Sequence, residues 1–228
     1  MSYLGWAQKS CVYMSYISEH FSGKKIYVLE IGVDRGQTAL PLIHNLICRG
    51  LDFRWLGVDI RYDKGFNEQL HFMEGVKPAT PGENVSYIKA NSLDFLPIFV
   101  KENPNFMGFD LVMLDGDHNY ETLFQELSYL DDITHTCTLC LIDDYNGKHA
   151  IKDSFYADNI HHKEIEHTEL NREAEKQGVK NAVDDFVEMN SKWTLYNPFP
   201  DEDPVVLFRE GADLIHDKEK NMILFNIK

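Results

Sequence analysis

Five apolar runs in this chain each stop at residues able to hold charge or exchange protons. The first run ends at Glu30 and the turn Gly32-Val33-Asp34-Arg35-Gly36, and the second at Asp59. The third ends at Asn91 and Ser92, the fourth at Asp115, Asp117 and His118, and the fifth at Asp143 and Asp144. Taken singly, each has a plain structural explanation. Glu30-x-Gly32 makes an ordinary strand-to-helix turn, Asp59 or His118 can sit at a helix start, and Asp143-Asp144 can be solvated loop residues. The set is what calls for chemistry, because a sheet that only had to fold would not need a polar terminus on every strand. Carboxylates in such a row can bind a cation, accept hydrogen bonds from a diol or take up a proton. Histidine adds a base that titrates near neutrality.

The first turn narrows the ligand. A pyrophosphate is held by backbone N–H groups in a G-x-G-x-x-G turn with few carboxylates nearby. Here Gly32 and Gly36 flank Asp34, and Glu30 precedes them, so a pyrophosphate is poorly served. A sulfonium that bears an amino acid suits the turn better. Glu30 can hold its ammonium directly or through water, and the glycines let the backbone approach. Asp59, at the next strand end, can accept both hydroxyls of a ribose.

These residues need a scaffold that brings successive strand ends together, and the spacing of apolar residues predicts one. KIYVLEI, FRWLGVDI, NVSYIKANS, FDLVMLDGDH and TLCLIDDYNG read as strands or strand ends. Helical stretches QTALPLIHNLICRG, LDFLPIFVKEN and YETLFQELSYLDDI lie among them, and VKNAVDDFVEMN follows. Pro41 is expected near the start of the first of these, or at a kink in it. Alternation of this kind means βαβ units and a parallel sheet, with ligands beyond the carboxyl ends of the strands. The fold class is therefore α/β: a Rossmann-like, doubly wound, mostly parallel sheet. Two of the tail runs WTLYNPF, VVLFRE and NMILFNI are expected to form an antiparallel hairpin at its edge. The chain reads as one domain over residues 1–228, with a helix over 1–22, a loop-rich segment at 61–83 and a polar insertion at 146–178.

Composition removes several classes of function. A net charge of −15 without a concentrated basic patch repels nucleic acid. No apolar run approaches the roughly 18 residues that a membrane helix needs. The first twenty residues lack the layout of a secretory signal, which makes the cytoplasm the expected location. Cys137 and Cys140 form a C-x-x-C, but on a strand residues three apart face opposite sides, so they read as structural thiols.

LEIGVDRGQTAL, VDI, FDLVMLDGDHNYE and LIDDY, taken in order, resemble the successive motifs of class I S-adenosylmethionine-dependent methyltransferases. D-G-D-H followed by a helix and then a D-D-Y strand end resembles the small-molecule O-methyltransferases, among them metal-dependent sugar and macrolide methyltransferases. The resemblance spans roughly residues 24–190. Asp34 departs from the glycine many members carry, and HTCTLC replaces the usual glycine pair before the fifth strand.

The resemblance implies Glu30, Gly32, Asp34 and Gly36 around the methionine end of the cofactor, Asp59 on the ribose, and Asn91 and Ser92 near the adenine. Asp115 is expected both near the cofactor and, with Asp143 and Asp144, as a ligand of Mg²⁺, which prefers such oxygen donors. The metal would acidify an acceptor hydroxyl, and His118 or Asp117 would remove its proton, His118 being favoured by its pKa. The implied reaction is methyl transfer to a hydroxyl of a small molecule, with sugars among the candidate acceptors. The alternatives are an NAD-dependent oxidoreductase on a similar sheet and a non-catalytic protein that binds S-adenosylmethionine. Residues 146–178, which include His161, His162 and His167, are expected to cover the acceptor. The acceptor's identity and the oligomeric state carry no signature.

Overall fold

The computed structural model describes residues 23–61, 65–66, 68, 84–154, 175–197, 203–209, 212–217 and 222–227. The expected helix at 1–22, most of the 61–83 loop and the histidine-rich centre of the insertion lie outside the described residues.

Five strands run parallel: β1 (Ile26–Ile31), β2 (Phe53–Asp59), β3 (Val85–Lys89), β4 (Phe109–Leu114) and β5 (Thr134–Ile142). Two more, β6 (Trp193–Tyr196) and β7 (Val205–Arg209), complete a seven-stranded sheet in the order β3-β2-β1-β4-β5-β7-β6. β7 is antiparallel to both β5 and β6, which is the antiparallel edge that the tail runs predict. The last run takes a partner that the periodicity does not mark. β8 (Ala212–Asp217) and β9 (Met222–Ile227) pair with each other in a separate two-stranded sheet.

The helices are α1 (Ala39–Cys48), α2 (Ser92–Glu102), α3 (Tyr120–Ser128), α4 (Leu130–Ile133) and α5 (Val179–Met189). Pro41 is the third residue of α1, within the first turn, where no helical N–H is lost. α2 and α3 begin with asparagine caps, because Asn91 and Asn119 accept from the N–H of Leu93 and Thr122.

Alternation along the strands sends side chains to two cores. Val28, Leu111, Met113, Leu139 and Leu141 join Leu42, Ile43, Leu46, Trp55 and Phe66 on one face. Leu29, Val112, Leu114, Cys140 and Ile142 join Leu96, Leu123, Leu127, Val183 and Phe186 on the other. Cys140 is buried in the second core and Cys137 packs against the first, so the C-x-x-C sulfurs diverge as strand geometry requires. No helix among the described residues is long and apolar enough to cross a membrane.

Strand register sets the row of acids. Ile31 is level with Val58 on one side and Leu114 on the other, and Leu114 is level with Ile142. The next residues are therefore Gly32, Asp59, Asp115 and Asp143, side by side at the carboxyl edge. Backbone bonds carry this order past the strands: Gly32 N–H donates to Val58 O at 2.9 Å, Asp115 N–H to Ile31 O at 2.9 Å, and Asp143 N–H to Leu114 O at 3.1 Å. The order reverses between β1 and β4, the position at which open sheets of this kind form a crevice.

Candidate active site

Glu30 is almost fully buried and accepts a hydrogen bond from the Trp55 indole N–H at 2.9 Å. Burial pushes its carboxyl up to about 8, against the lowering effect of that hydrogen bond, and nearby Asp59 adds to the rise. After it the chain turns sharply. Gly32 has φ +85°, and a Cβ there would lie 1.9 Å from the backbone oxygen of Asp115, so only glycine lets the β1 and β4 ends approach. Gly36, with φ +74°, leaves room for the ring of Phe66, which packs edge-on against Trp55 and Tyr87. Among the described residues of the 61–83 loop, Phe66 supports this turn.

Asp34 occupies the position that favours glycine and adopts φ +45°, a left-handed conformation that aspartate tolerates better than most residues. Its backbone N–H donates to Asp59 Oδ2 at 2.7 Å, and its carboxylate pairs with the Arg61 guanidinium. Asp59 Oδ1 accepts from the Arg61 N–H at 2.8 Å. Arg61 Nε also lies 4.0 Å from Asp59 Oδ1, so the turn and Arg61 together fix the orientation of this carboxylate.

Asn91 and Ser92 are more committed to the protein than their strand-end position implies. Asn91 caps α2, and the buried Ser92 hydroxyl donates to Glu126 Oε1 at 2.5 Å.

At the β4 and β5 ends, Asp115, His118 and Asp143 each offer a ligand atom, all within 4.8 Å of one another. Burial raises the Asp115 carboxyl well above the usual range, and Asp143, Glu30 and Asp144 raise it further. An acid held among acids is an electrostatic cost that a bound cation removes. His118 Nε2 lies 3.8 Å from Asp115 Oδ1, and its Nδ1 lies 3.6 Å from Asp144 Oδ2. Burial lowers the His118 pKa, Asp143 opposes this and Lys148 adds to it.

Asp144 follows the strand in a left-handed conformation, φ +56°, and faces both His118 and His149, whose Nε2 is 3.9 Å from its Oδ2. The His118 and His149 rings stack with centroids 5.2 Å apart. The mutually close group thus contains His118 beside Asp115 and Asp143, whereas Asp144 lies against the two histidines. Asp117 turns the other way: its Oδ2 accepts from the Asn119 amide and from the Thr122 hydroxyl at 3.3 Å. The structure brings His118, not Asp117, into the acidic row.

Three residues in this neighbourhood carry no mark in the local sequence. His149 is one, and Asp203 is another, its Oδ1 accepting the Asn146 N–H at 2.8 Å. The third is Asp153, whose Oδ1 accepts from the N–H of both Tyr120, at 2.8 Å, and Gly178, at 2.5 Å. With Ser154 N–H donating to His118 O at 3.0 Å and Val179 N–H to His149 O at 3.0 Å, both ends of the 146–178 insertion are fastened beside His118.

Comparison with solved structures finds the same fold. The TDP-rhamnose 3′-O-methyltransferase CalS11 of calicheamicin biosynthesis superposes with a TM-score of 0.59 at 12% identity, over 90% of this chain and 80% of that one. The CMeT domain of the citrinin polyketide synthase gives 0.54 at 10% identity, over 90% and 52%. The mycinamycin-pathway methyltransferase MycE, in complex with Mg and SAH, gives 0.50 at 16% identity, over 86% and 48%. No curated protein matches the chain in sequence. A family model described as a methyltransferase domain matches residues 29–145, just over half of the chain and all of the strand-end row from Glu30 to Asp144. The chain belongs to this family of methyltransferases.

Proposed function

We propose that this protein transfers the methyl group of S-adenosylmethionine to a hydroxyl of a small molecule, with a divalent cation, Mg²⁺ by its preference for oxygen ligands, at the β4 and β5 ends. The observation that carries this reading is the register-matched row Gly32, Asp59, Asp115 and Asp143, with His118 set among its acids. Glu30 lies under the methionine end, where an ammonium would favour its ionised form. Asp59 accepts the ribose hydroxyls, and the turn from Gly32 through Asp34 to Gly36 lets the backbone close around the sulfonium. Asn91 and Ser92 shape the adenine side from the protein interior.

The donor set fits a cation, since Asp115 and Asp143 are carboxylates within reach of a common point and Asp115 bears an unfavourable negative neighbourhood. Held by them, with Asp144 close by, the metal would polarise the acceptor hydroxyl as a Lewis acid. The residues do the rest. His118, with Nδ1 on the side of Asp144 and Nε2 on the side of Asp115, acts as the base that receives the hydroxyl proton. Burial lowers its pKa, which favours the neutral imidazole, the form that accepts a proton. As the acceptor oxygen bonds to the methyl carbon, the carbon–sulfur bond breaks, the thioether leaves and the hydroxyl proton passes to His118.

MycE, solved with Mg and SAH, and CalS11, a sugar O-methyltransferase by its name, support this reading. Covering of the acceptor by the 146–178 insertion belongs to the same proposal, since both of its ends meet the His118 loop. Incubation with methyl-labelled S-adenosylmethionine and a panel of hydroxylated small molecules should place the label in an ether. Excess chelator should lower the rate by about 100-fold or more, and Mg²⁺ should restore it. Label found only on nitrogen or carbon would refute the hydroxyl acceptor, and an unchanged rate in chelator would refute the metal.

A further inference from the structure

A second buried acid lies beneath the crevice, and the chemistry above does not use it. Glu126 belongs to α3, and its carboxyl is almost completely buried. Its Oε1 accepts the Ser92 hydroxyl from the first turn of α2 at 2.5 Å. The same oxygen lies 3.7 Å from where a Cβ on Gly116 would be, in the turn between Asp115 and Asp117, and that point is 3.9 Å from Gly32 N. Its carboxyl therefore bonds the strand end at Ser92 and lies against the turn that leads to His118, just under the β1–β4 switch point.

We propose that Glu126 is a positioning residue for the cofactor: its carboxyl ties the Ser92 turn to the loop carrying Asp117 and His118, and holds the two at the spacing the nucleoside requires. The inference rests on the methyltransferase reading above and adds a residue to its cofactor site.

Proton occupancy follows from the surroundings. Three elements present polar or titratable groups to Glu126: α2 presents the Ser92 hydroxyl, the β4–α3 turn presents Asp117, and β5 presents the buried Cys140 thiol. None of these groups, among the described residues, is a cation. Burial raises the Glu126 carboxyl to about 8, the Ser92 hydrogen bond opposes this and Asp117 adds to the rise. At neutral pH the carboxyl is mostly protonated, so it can accept from Ser92 with one oxygen and donate with the other. Above pH 8 it becomes an anion that repels the Asp117 side of the crevice while the Ser92 hydroxyl still donates to it, so the spacing between the two loops is disturbed.

Glu126→Gln separates these effects, because the amide keeps an acceptor oxygen and a donor but cannot ionise. We expect E126Q to bind S-adenosylhomocysteine within about 3-fold of wild type at pH 6.5. Between pH 6.5 and 9, wild-type affinity should fall about 10-fold further than that of E126Q, as one proton with a pKa near 8 requires. Glu30 titrates in the same range, but it is common to both proteins and cancels in the ratio. Thermal melting without ligand gives a second readout. The wild type holds a proton that its unfolded chain releases, so its stability falls as pH climbs from the ordinary carboxylate range towards 8. The lead of E126Q in melting temperature should therefore widen over that interval and then stay level. A widening lead with identical pH profiles for binding would make Glu126 a buried acid with no positioning role and overturn this inference alone. A lead that does not widen would overturn its assigned protonation. Absence of binding by the wild type at pH 6.5 would overturn the cofactor reading with it.

Discussion

Asp143→Ala should lower methyl-transfer turnover by about three orders of magnitude, the scale of a lost metal or acid–base group. It should at the same time make the protein more stable. The two effects have one cause. Burial is the main cause that lifts the Asp115 carboxyl well above its usual range, and Asp143 is the largest charged contributor to the rise. A carboxyl whose pKa is raised by folding costs stability as pH rises from the ordinary carboxylate range towards the folded value, because the unfolded chain can release a proton that the fold retains. Removing Asp143 relieves part of that cost at neutral pH, so the melting temperature should rise there, and the gain should shrink as pH falls into the ordinary carboxylate range. Affinity for S-adenosylhomocysteine should stay within about 3-fold, since Glu30 and Asp59 are untouched. Melting temperature against pH, together with single-turnover rates, checks both halves. Loss of turnover accompanied by a lower melting temperature would assign Asp143 to the scaffold instead.

Gly32→Ala should have the largest effect on cofactor affinity, a loss of about 100-fold or more, with a destabilisation on the order of 3 kcal/mol. Its φ of +85° already disfavours any side chain, and the added Cβ would lie 1.9 Å from the Asp115 carbonyl oxygen. Backbone on both sides of the contact cannot yield without parting the β1 and β4 ends, the proposed seat of the nucleoside. Gly50 supplies the control. It has φ +68° at the end of α1, and an added Cβ there would meet nothing within 4 Å, so Gly50→Ala has the torsional cost, about 1 kcal/mol, without the collision. Equal effects of the two substitutions on affinity, measured by titration with S-adenosylhomocysteine, would show that close approach at Gly32 has no part in binding.

Much of this arrangement was legible in the sequence because a parallel strand buried on both faces announces itself. The run from Ile26 to Ile31 has few polar interruptions, and Glu30, at its end, is conspicuous for that reason. Strand order and register were not legible, since nothing local specifies that Ile31 will lie level with Val58 and Leu114; the row of acids became a row only in three dimensions. The tail shows the same limit. The hairpin of β6 and β7 was readable from apolar runs, whereas ADLIHD, with two aspartates and a histidine in six residues, gave little sign that it would pair with the final run.

Site residues divide in a similar way. Those following strand ends could be named from position, but the direction of each side chain could not. Asp117 and His118 are adjacent in sequence, yet one turns back to α3 and the other faces Asp115 and Asp144. Glu126 did leave a trace. It stands three residues after Leu123 and four before Leu130, so it falls on the apolar stripe of its helix, and an acid on a buried stripe needs a reason. His149 and Asp153 left none. They reach the site because both ends of the insertion fold back on the start of α3, a contact that depends on backbone N–H groups with no sequence signature.

Glu30 offers the most direct test of whether the strand-end crevice receives an aminoacyl nucleoside. With its carboxyl near 8 in the free protein, it is mostly protonated at pH 7, and the arrival of an ammonium should drive the proton off. Calorimetric titration with S-adenosylhomocysteine at pH 7, in two buffers of very different ionisation enthalpy, measures both binding and that release. Saturable binding with up to about one proton released per site is the predicted result, and Glu30→Gln should bind without the release. No heat in either buffer, or binding with no proton exchanged, would contradict it.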